Sequence, residues 1–191
     1  MDDETRRYRE RLEIEEQVPG KKYKAPVRYR ELDEDVKNLI QFYAPALTYI
    51  GVNLRDPEVE EVICDCTQSL ETVFRIVIAY WHILQDRGET LNYPNKLLVK
   101  AVKEELPLYR WRDEWMENPA FKSLGRQWEV EAKHQWGSDL FNSLVSDLDE
   151  DMFGTKGTIV FRTGPTVDLQ QARRMSWEDV LKRAQSGCRQ I

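Results

Sequence analysis

From Asp33 onward, apolar residues recur every three or four positions, and glycine, proline or a small polar residue marks nearly every place where the recurrence stops. Val36, Leu39, Ile40, Tyr43 and Leu47 form the first stripe. It follows Asp33-Glu34-Asp35, whose carboxylates suit the positive end of a helix, and Gly51 is placed to close it with a left-handed cap. Pro45 falls inside this helix and is expected to bend or split it. Asp56-Pro57-Glu58 supply a capping acid, a proline at the first helical position and a first-turn acid for a short helix through Val59, Val62 and Ile63. Ser69 caps a third helix, whose run from Val73 to Leu84 is apolar almost all round and stops at Gly88. A helix apolar on every side is buried on every side, so this one is expected at the centre of the core.

The pattern continues with Asn92-Tyr93-Pro94, which opens a helix through Leu97, Leu98, Ala101 and Val102 that Pro107 ends. Leu108 to Trp115 predict a short helix, and Asn118-Pro119 open a longer one through Phe121, Leu124, Trp128 and Ala132 to Trp136, with Gly137 as its stop. Leu140, Phe141, Leu144, Val145 and Leu148 carry the helical spacing up to the acidic run Asp147–Asp151. Only at Gly157-Thr158-Ile159-Val160-Phe161-Arg162-Thr163-Gly164 does the chain turn β-prone, and a lone strand needs a partner, either elsewhere in the chain or in another molecule. Ser176-Trp177-Glu178-Asp179 cap a last helix through Val180, Leu181 and Ala184. The expected fold is mainly α: a compact multi-helix domain over residues 33–150, preceded by a charged arm and basic linker over 1–32. A short β-strand or hairpin appendage with a helix follows over 151–191.

Charge narrows the functional classes. Lys and Arg number 28 against 34 Asp and Glu, a net charge of -6, which excludes a surface uniformly coated with cations for gripping nucleic acid. Any contact with a polyanion must be local. No apolar run approaches the roughly 20 residues of a membrane span, and Met1 to Arg7 lead into no signal-peptide core. Three cysteines without metal-clamp spacing fit a reducing cytoplasm, which is the expected location.

Reactive groups are scarce. His82 lies in the most apolar helix and His134 near the end of another, without the spacing of metal ligands or a catalytic base. Cys64 and Cys66 are two apart, which on a helix turns the thiols away from each other, and Cys188 sits in the tail. Phosphate-cradling glycine loops are missing, and the acidic run lacks the glycine and closing glutamate of a calcium loop and reads as a solvated face. A non-enzymatic protein without cofactor or metal is the expectation.

Two groups of residues suggest binding. Lys21, Lys22, Lys24, Arg28 and Arg30, interleaved with Tyr23 and Tyr29, make the most basic window, either a solvated linker or an arm for phosphates and stacked bases. Trp111, Trp115, Trp128 and Trp136 lie close together among Arg110, Arg112, Lys122, Arg126 and Lys133. Helical spacing accounts for these tryptophans as core, while the alternative is an interface anchored by Trp and Arg. Asp113, Glu114, Glu117, Glu129 and Glu131 offset the five cations, which favours a protein partner over a nucleic acid.

The stretch from Leu47-Thr48-Tyr49-Ile50-Gly51-Val52 through Val59, Ile63, Val73 and Ala79-Tyr80-Trp81 to Asn92-Tyr93-Pro94-Asn95-Lys96-Leu97-Leu98 and Val99 to Glu104 resembles a helical module of bacterial plasmid and phage replication proteins. The resemblance covers roughly residues 45–105. Two departures stand out: Glu105-Leu106-Pro107 replace the closing aromatic, and the 32 residues upstream are too few for the winged helix that often precedes the module. The resemblance implies an accessory role in DNA replication or plasmid and phage maintenance, with Lys96, Lys100 and Lys103 on one helix face toward DNA. The other reading is a protein-interaction adaptor using Trp111, Trp115, Arg110, Arg112, Arg173 and Arg174, together with a strand at Ile159 to Arg162 that extends a partner's sheet. Neither reading involves a membrane.

Overall fold

The computed structural model describes residues 27–66, 69–108 and 110–186. The arm over residues 1–20, the basic residues Lys21, Lys22 and Lys24, and Cys188 lie outside them. The protein is mainly α-helical and carries one small antiparallel sheet. It divides into two compact units, one ending at Phe121 and the other beginning at Lys122. This division falls inside the stretch from 33 to 150 that the hydrophobic pattern presents as one helical domain.

The first unit contains α1 (Val27–Arg30), α2 (Glu34–Ile50), α3 (Pro57–Cys64), α4 (Leu70–Asp86), α5 (Pro94–Lys103) and two 3-10 turns, Asp113–Glu117 and Pro119–Phe121. The capping logic of the sequence holds at several ends. Asp56 accepts from the backbone N–H groups of Glu58 and Val59, and Ser69 accepts from that of Thr72. Gly51 closes α2 at φ 102°, and Val52 N–H reaches back to the Leu47 carbonyl at 2.9 Å. Helix α2 runs unbroken through Pro45, so the proline does not split it. Gln41, four residues earlier, is exposed, and water can take the place of the amide that proline lacks there.

Helix α4 is only partly the wholly enclosed element its composition suggests. Val73, Phe74, Val77 and Ile78 are buried, but Tyr80 is exposed and Trp81, His82 and Ile83 are half-buried. Helix α5 ends at Lys103, and Glu105 turns the chain at positive φ before Pro107 is reached.

Residues 122–186 make the second unit: α6 (Leu124–Trp136), α7 (Ser138–Leu144), β1 (Val145–Glu150), β2 (Gly157–Phe161), β3 (Val167–Asp168), α8 (Leu169–Arg174) and α9 (Trp177–Gln185). The helix expected from Asn118-Pro119 to Trp136 is two elements. Pro119–Phe121 close as a 3-10 turn, and Ser123 starts afresh as N-cap of α6 by accepting from Arg126 N–H. The helical reading of Val145 and Leu148 is also corrected. Helix α7 stops at Leu144 and the acidic run becomes β1, with a register irregularity between Val145 and Asp147 that imitates helical spacing.

The sheet order is β1-β2-β3, so β2 is the central strand. Ile159 faces Leu148 on one side and Val167 on the other. The strand expected to be alone therefore pairs within its own chain, with β1 along Gly157 to Phe161 on one side and with β3 at Thr158 and Ile159 on the other. Gly157, Ile159 and Phe161 alternate inward against Trp128, Ala132, Phe141, Leu169, Val180 and Ala184.

Gly164, just past β2, lies directly on helix α9: a Cβ there would stand 2.4 Å from the Arg183 carbonyl oxygen and 2.9 Å from that of Ala184. Those are backbone atoms and cannot turn aside. Gly164→Ala is expected to destabilise this unit by about 1–3 kcal/mol, as overpacking against fixed atoms does, seen as a lower thermal midpoint. An unchanged melt would show that the turn stands clear of α9. No helix among the described residues is long and apolar enough to cross a membrane.

Candidate functional site

The Trp111 to Trp115 stretch lies along α4 in the first unit, with Trp111 at Arg75 in its N-terminal half and Trp115 at His82 in its C-terminal half. Its anchor is Arg75, one turn after Glu71 on α4. The guanidinium bonds Glu71 at 2.7 Å, donates to the Tyr43 hydroxyl at 3.0 Å, and lies 4.9 Å from the centre of the Trp111 ring. Burial raises the Tyr43 hydroxyl above its ordinary pKa, and its hydrogen bond in turn holds Arg75 higher still. Asp113 accepts from the Trp111 indole N–H at 2.7 Å, which keeps that ring edge-on to Trp115 at 5.9 Å. Trp115 then stacks on His82 at 4.8 Å, with planes 13° apart, while Arg112 stands 5.9 Å from its ring centre.

A second aromatic layer continues beneath. Trp81 contacts Tyr49 at 5.9 Å and Phe121 at 5.6 Å, and Phe121 also meets Tyr49 and His82. Phe121 is buried, Trp81, Trp111 and Trp115 are half-buried, and Tyr49 is 55% exposed. The result is a partly open aromatic surface with guanidinium groups over two of its rings. Trp111, Trp115 and Arg112, all expected site residues, are brought together here, and Arg110 is exposed beside them. Arg75, His82 and Tyr49 belong to the same surface, although the sequence pattern does not mark them as binding residues. The Glu71–Arg75 spacing of four was the legible sign for Arg75, since an arginine inside an apolar helix needs a local acid.

The other expected site residues fare differently. Arg28 and Arg30 are exposed on α1, with Arg28 lying 3.5 Å from Asp65. On α5, Lys103 pairs with Glu58 at 3.1 Å, Lys100 with Glu104 at 3.6 Å, and Lys96 sits 5.0 Å from the Tyr93 ring. The three lysines thus share a helix, but two of them already face carboxylates, which weakens the local positive field. Arg173 and Arg174 are exposed at the end of α8, in the second unit.

Trp128, Trp136 and Trp177 cluster within the second unit. Trp128 and Trp136 meet edge-on at 5.8 Å, as their spacing of eight predicts, and Trp177 stacks on Trp128 at 6.0 Å. Trp128 is only 1% exposed and belongs to the core, with half-buried Trp136 and Trp177 packed against it.

The acidic run is not a uniformly solvated face. Glu150 accepts from Gly125 N–H at 2.7 Å and from Ser123 Oγ at 2.8 Å, placing a carboxylate at the positive start of α6. A Cβ on Gly125 would fall 2.6 Å from the Glu150 carboxyl carbon, so only glycine admits this contact without displacement. Asp151 is buried, and its oxygens accept from Thr155 N–H, Lys156 N–H and the Thr155 hydroxyl. Among the described residues no three His, Cys, Asp or Glu side chains form a group that could hold a metal ion. Burial pushes the Cys64 thiol up to about 11, with the Glu60 carboxylate adding to it, so at neutral pH it stays a protonated, unreactive thiol.

Comparison with known proteins returns no match: no family model, no curated protein and no solved structure.

Proposed function

We propose that this chain is a non-enzymatic accessory protein that works by docking on another protein, with the aromatic and arginine surface of the first unit as the contact. The observation that carries the reading is the pairing of half-buried Trp111 and Trp115 with guanidinium groups over their faces, beside the exposed Tyr49 ring. Large rigid aromatics and arginines are the residue types that dominate binding energy where proteins meet. The lysines of α5 give less support to a phosphate site, because Lys100 and Lys103 have acids within ion-pair distance.

A nucleic-acid role in replication or plasmid and phage maintenance is the second reading. It is favoured by exposed Arg28 and Arg30, which continue the basic window begun at Lys21, and by the resemblance of residues 45–105.

One pair of measurements separates the two. The tagged full chain is incubated with extract from its native host, and captured proteins are compared with those held by a Trp111→Ala/Trp115→Ala variant. Labelled single- and double-stranded DNA are titrated in parallel at about 50 and 200 mM salt. The protein reading expects a specific partner that the variant loses by more than about tenfold, the scale of one hot-spot contact, with capture insensitive to salt. It also expects no tight DNA binding. A partner held equally by the variant defeats it, whereas DNA affinity falling steeply with salt, and lost on charge reversal of Lys21, Lys22 and Lys24, establishes the second reading.

A further inference from the structure

His82 has no role in the docking surface beyond packing, yet its surroundings are unusual for an imidazole. Its ring is stacked face to face on Trp115, and Trp81 at 4.8 Å and Phe121 at 5.8 Å present edges to it. Its Nε2 atom is buried and has no hydrogen-bond partner. A neutral imidazole tolerates this, because the tautomer with its proton on Nδ1 leaves only a lone pair at Nε2. An imidazolium carries N–H on both nitrogens, and a buried charged donor without an acceptor is costly.

We propose that the His82–Trp115 stack is an acid-sensitive latch: proton uptake by the imidazole releases the segment Arg112–Phe121 from helix α4. Trp115 and Phe121 both belong to that segment and both touch the imidazole, so part of its hold on α4, beside the Trp81–Phe121 contact, runs through the ring that takes up the proton.

The charged groups nearby set the direction. Asp86, one turn further along α4, attracts a proton to His82, but burial outweighs it and holds the imidazole below its ordinary range. On the segment packed against the ring, Arg112 lies 5.9 Å from the centre of the Trp115 ring, while Asp113 is engaged with the Trp111 indole. Glu114 and Glu117 are exposed on the same turn, where solvent screens them. The attraction of an imidazolium for the indole face works the other way, but it leaves Nε2 without an acceptor. The sign follows: with the folded value depressed, the latch is intact above the unfolded imidazole value near 6.5 and weakens as pH falls through it toward the folded value.

The test uses the full chain carrying His134→Gln, which leaves His82 as the single imidazole. Its titration is followed by NMR of the ring carbons, and hydrogen exchange over residues 112–121 is compared at about pH 7.5 and pH 5, corrected for intrinsic rates. Expected are a midpoint below about 6.5 and at least tenfold faster exchange of the segment in acid, absent in His82→Phe, which keeps an aromatic stack without a proton site. A midpoint at or above 6.5, or acid-enhanced exchange that persists in His82→Phe, overturns the latch. The titration is read on the native imidazole, so it decides the matter even where the phenylalanine variant folds poorly.

Discussion

Replacing Trp128 with alanine is expected to unfold the unit that begins at Lys122. Trp128 is 1% exposed and is enclosed by Trp177, Trp136 and Phe141, with ring centres 5.8–6.1 Å away. Removing a buried indole sacrifices its transfer energy and leaves a cavity that neighbours refill only in part, a loss of about 3–5 kcal/mol. A unit of roughly 70 residues commonly has only about 4–10 kcal/mol in total, so little would remain. Trp128→Phe gives the internal comparison. It leaves a smaller gap and removes the indole N–H, which is buried without a partner, so its cost is expected to be about 1–2 kcal/mol. Urea unfolding followed by hydrogen exchange across residues 122–186 checks both. Equal midpoints for parent and alanine variant would mean that the indole is not enclosed.

For Trp81, in the most apolar helix, the sequence alone leads to the same expectation, an unfolding loss of about 3–5 kcal/mol on replacement by alanine. The structure lowers that figure. Trp81 is half-buried and makes its ring contacts with exposed Tyr49, buried Phe121 and half-buried His82. Trp81→Ala is therefore expected to cost about 1–3 kcal/mol, short of unfolding and below the full core value. Local composition reports how apolar a helix is, but not which of its turns a neighbouring element covers. The apolar run from Val73 to Leu84 spans both an enclosed part and a part, Tyr80 to Ile83, that Tyr49 and the Trp111–Phe121 segment cover incompletely.

Local signals in this sequence were reliable where the physics is local. Asp56, Ser69, Ser176 and Gly51 cap where their side chains or backbone freedom predict, because a cap depends only on residues within one turn. The signals failed where a long-range partner decides. Phe141, Leu144, Val145 and Leu148 satisfy a helical period by arithmetic, yet pairing with Gly157–Phe161 draws Val145 and Leu148 into a strand. Ser123 looks like an ordinary polar residue inside a helix opened at Pro119 until Glu150 reaches it from 27 positions away.

The candidate surface was legible to a similar degree. Trp111, Trp115, Arg110 and Arg112 stand together in sequence and together in space. Arg75, Tyr43 and His82 join them only through the packing of α2 and the 3-10 turns on α4, which no spacing rule contains. The lysines of α5 show the converse. A shared face at Lys96, Lys100 and Lys103 is fixed by helix geometry, but Glu58, 45 positions from Lys103, decides how much charge that face presents.

The acidic run brings both kinds of reasoning to one test. Asp147 and Asp151 look alike in sequence, four residues apart in a stretch that reads as solvated acid. In the fold Asp147 is exposed, whereas Asp151 is 2% exposed and closes the turn between β1 and β2. One Asp151 oxygen accepts Thr155 N–H at 2.7 Å and Lys156 N–H at 3.0 Å, and the other accepts the Thr155 hydroxyl at 3.0 Å. Asp151→Ala strips these donors of their acceptor in a place water reaches poorly, so a loss of about 2–4 kcal/mol is expected. The β1–β2 connection, which sets the register of the central strand, should loosen first. Asp151→Asn keeps one carbonyl acceptor but turns an N–H₂ group toward the remaining donors, and its cost should fall between alanine and parent. Asp147→Ala, by contrast, should stay within about 0.5 kcal/mol of the parent, as surface changes do. Denaturant midpoints for the three variants measure the ordering. Equal effects at Asp147 and Asp151 would return the acidic run to a solvated face, whereas a loss confined to Asp151 shows that one carboxylate is committed to holding the hairpin and is not available to any ligand.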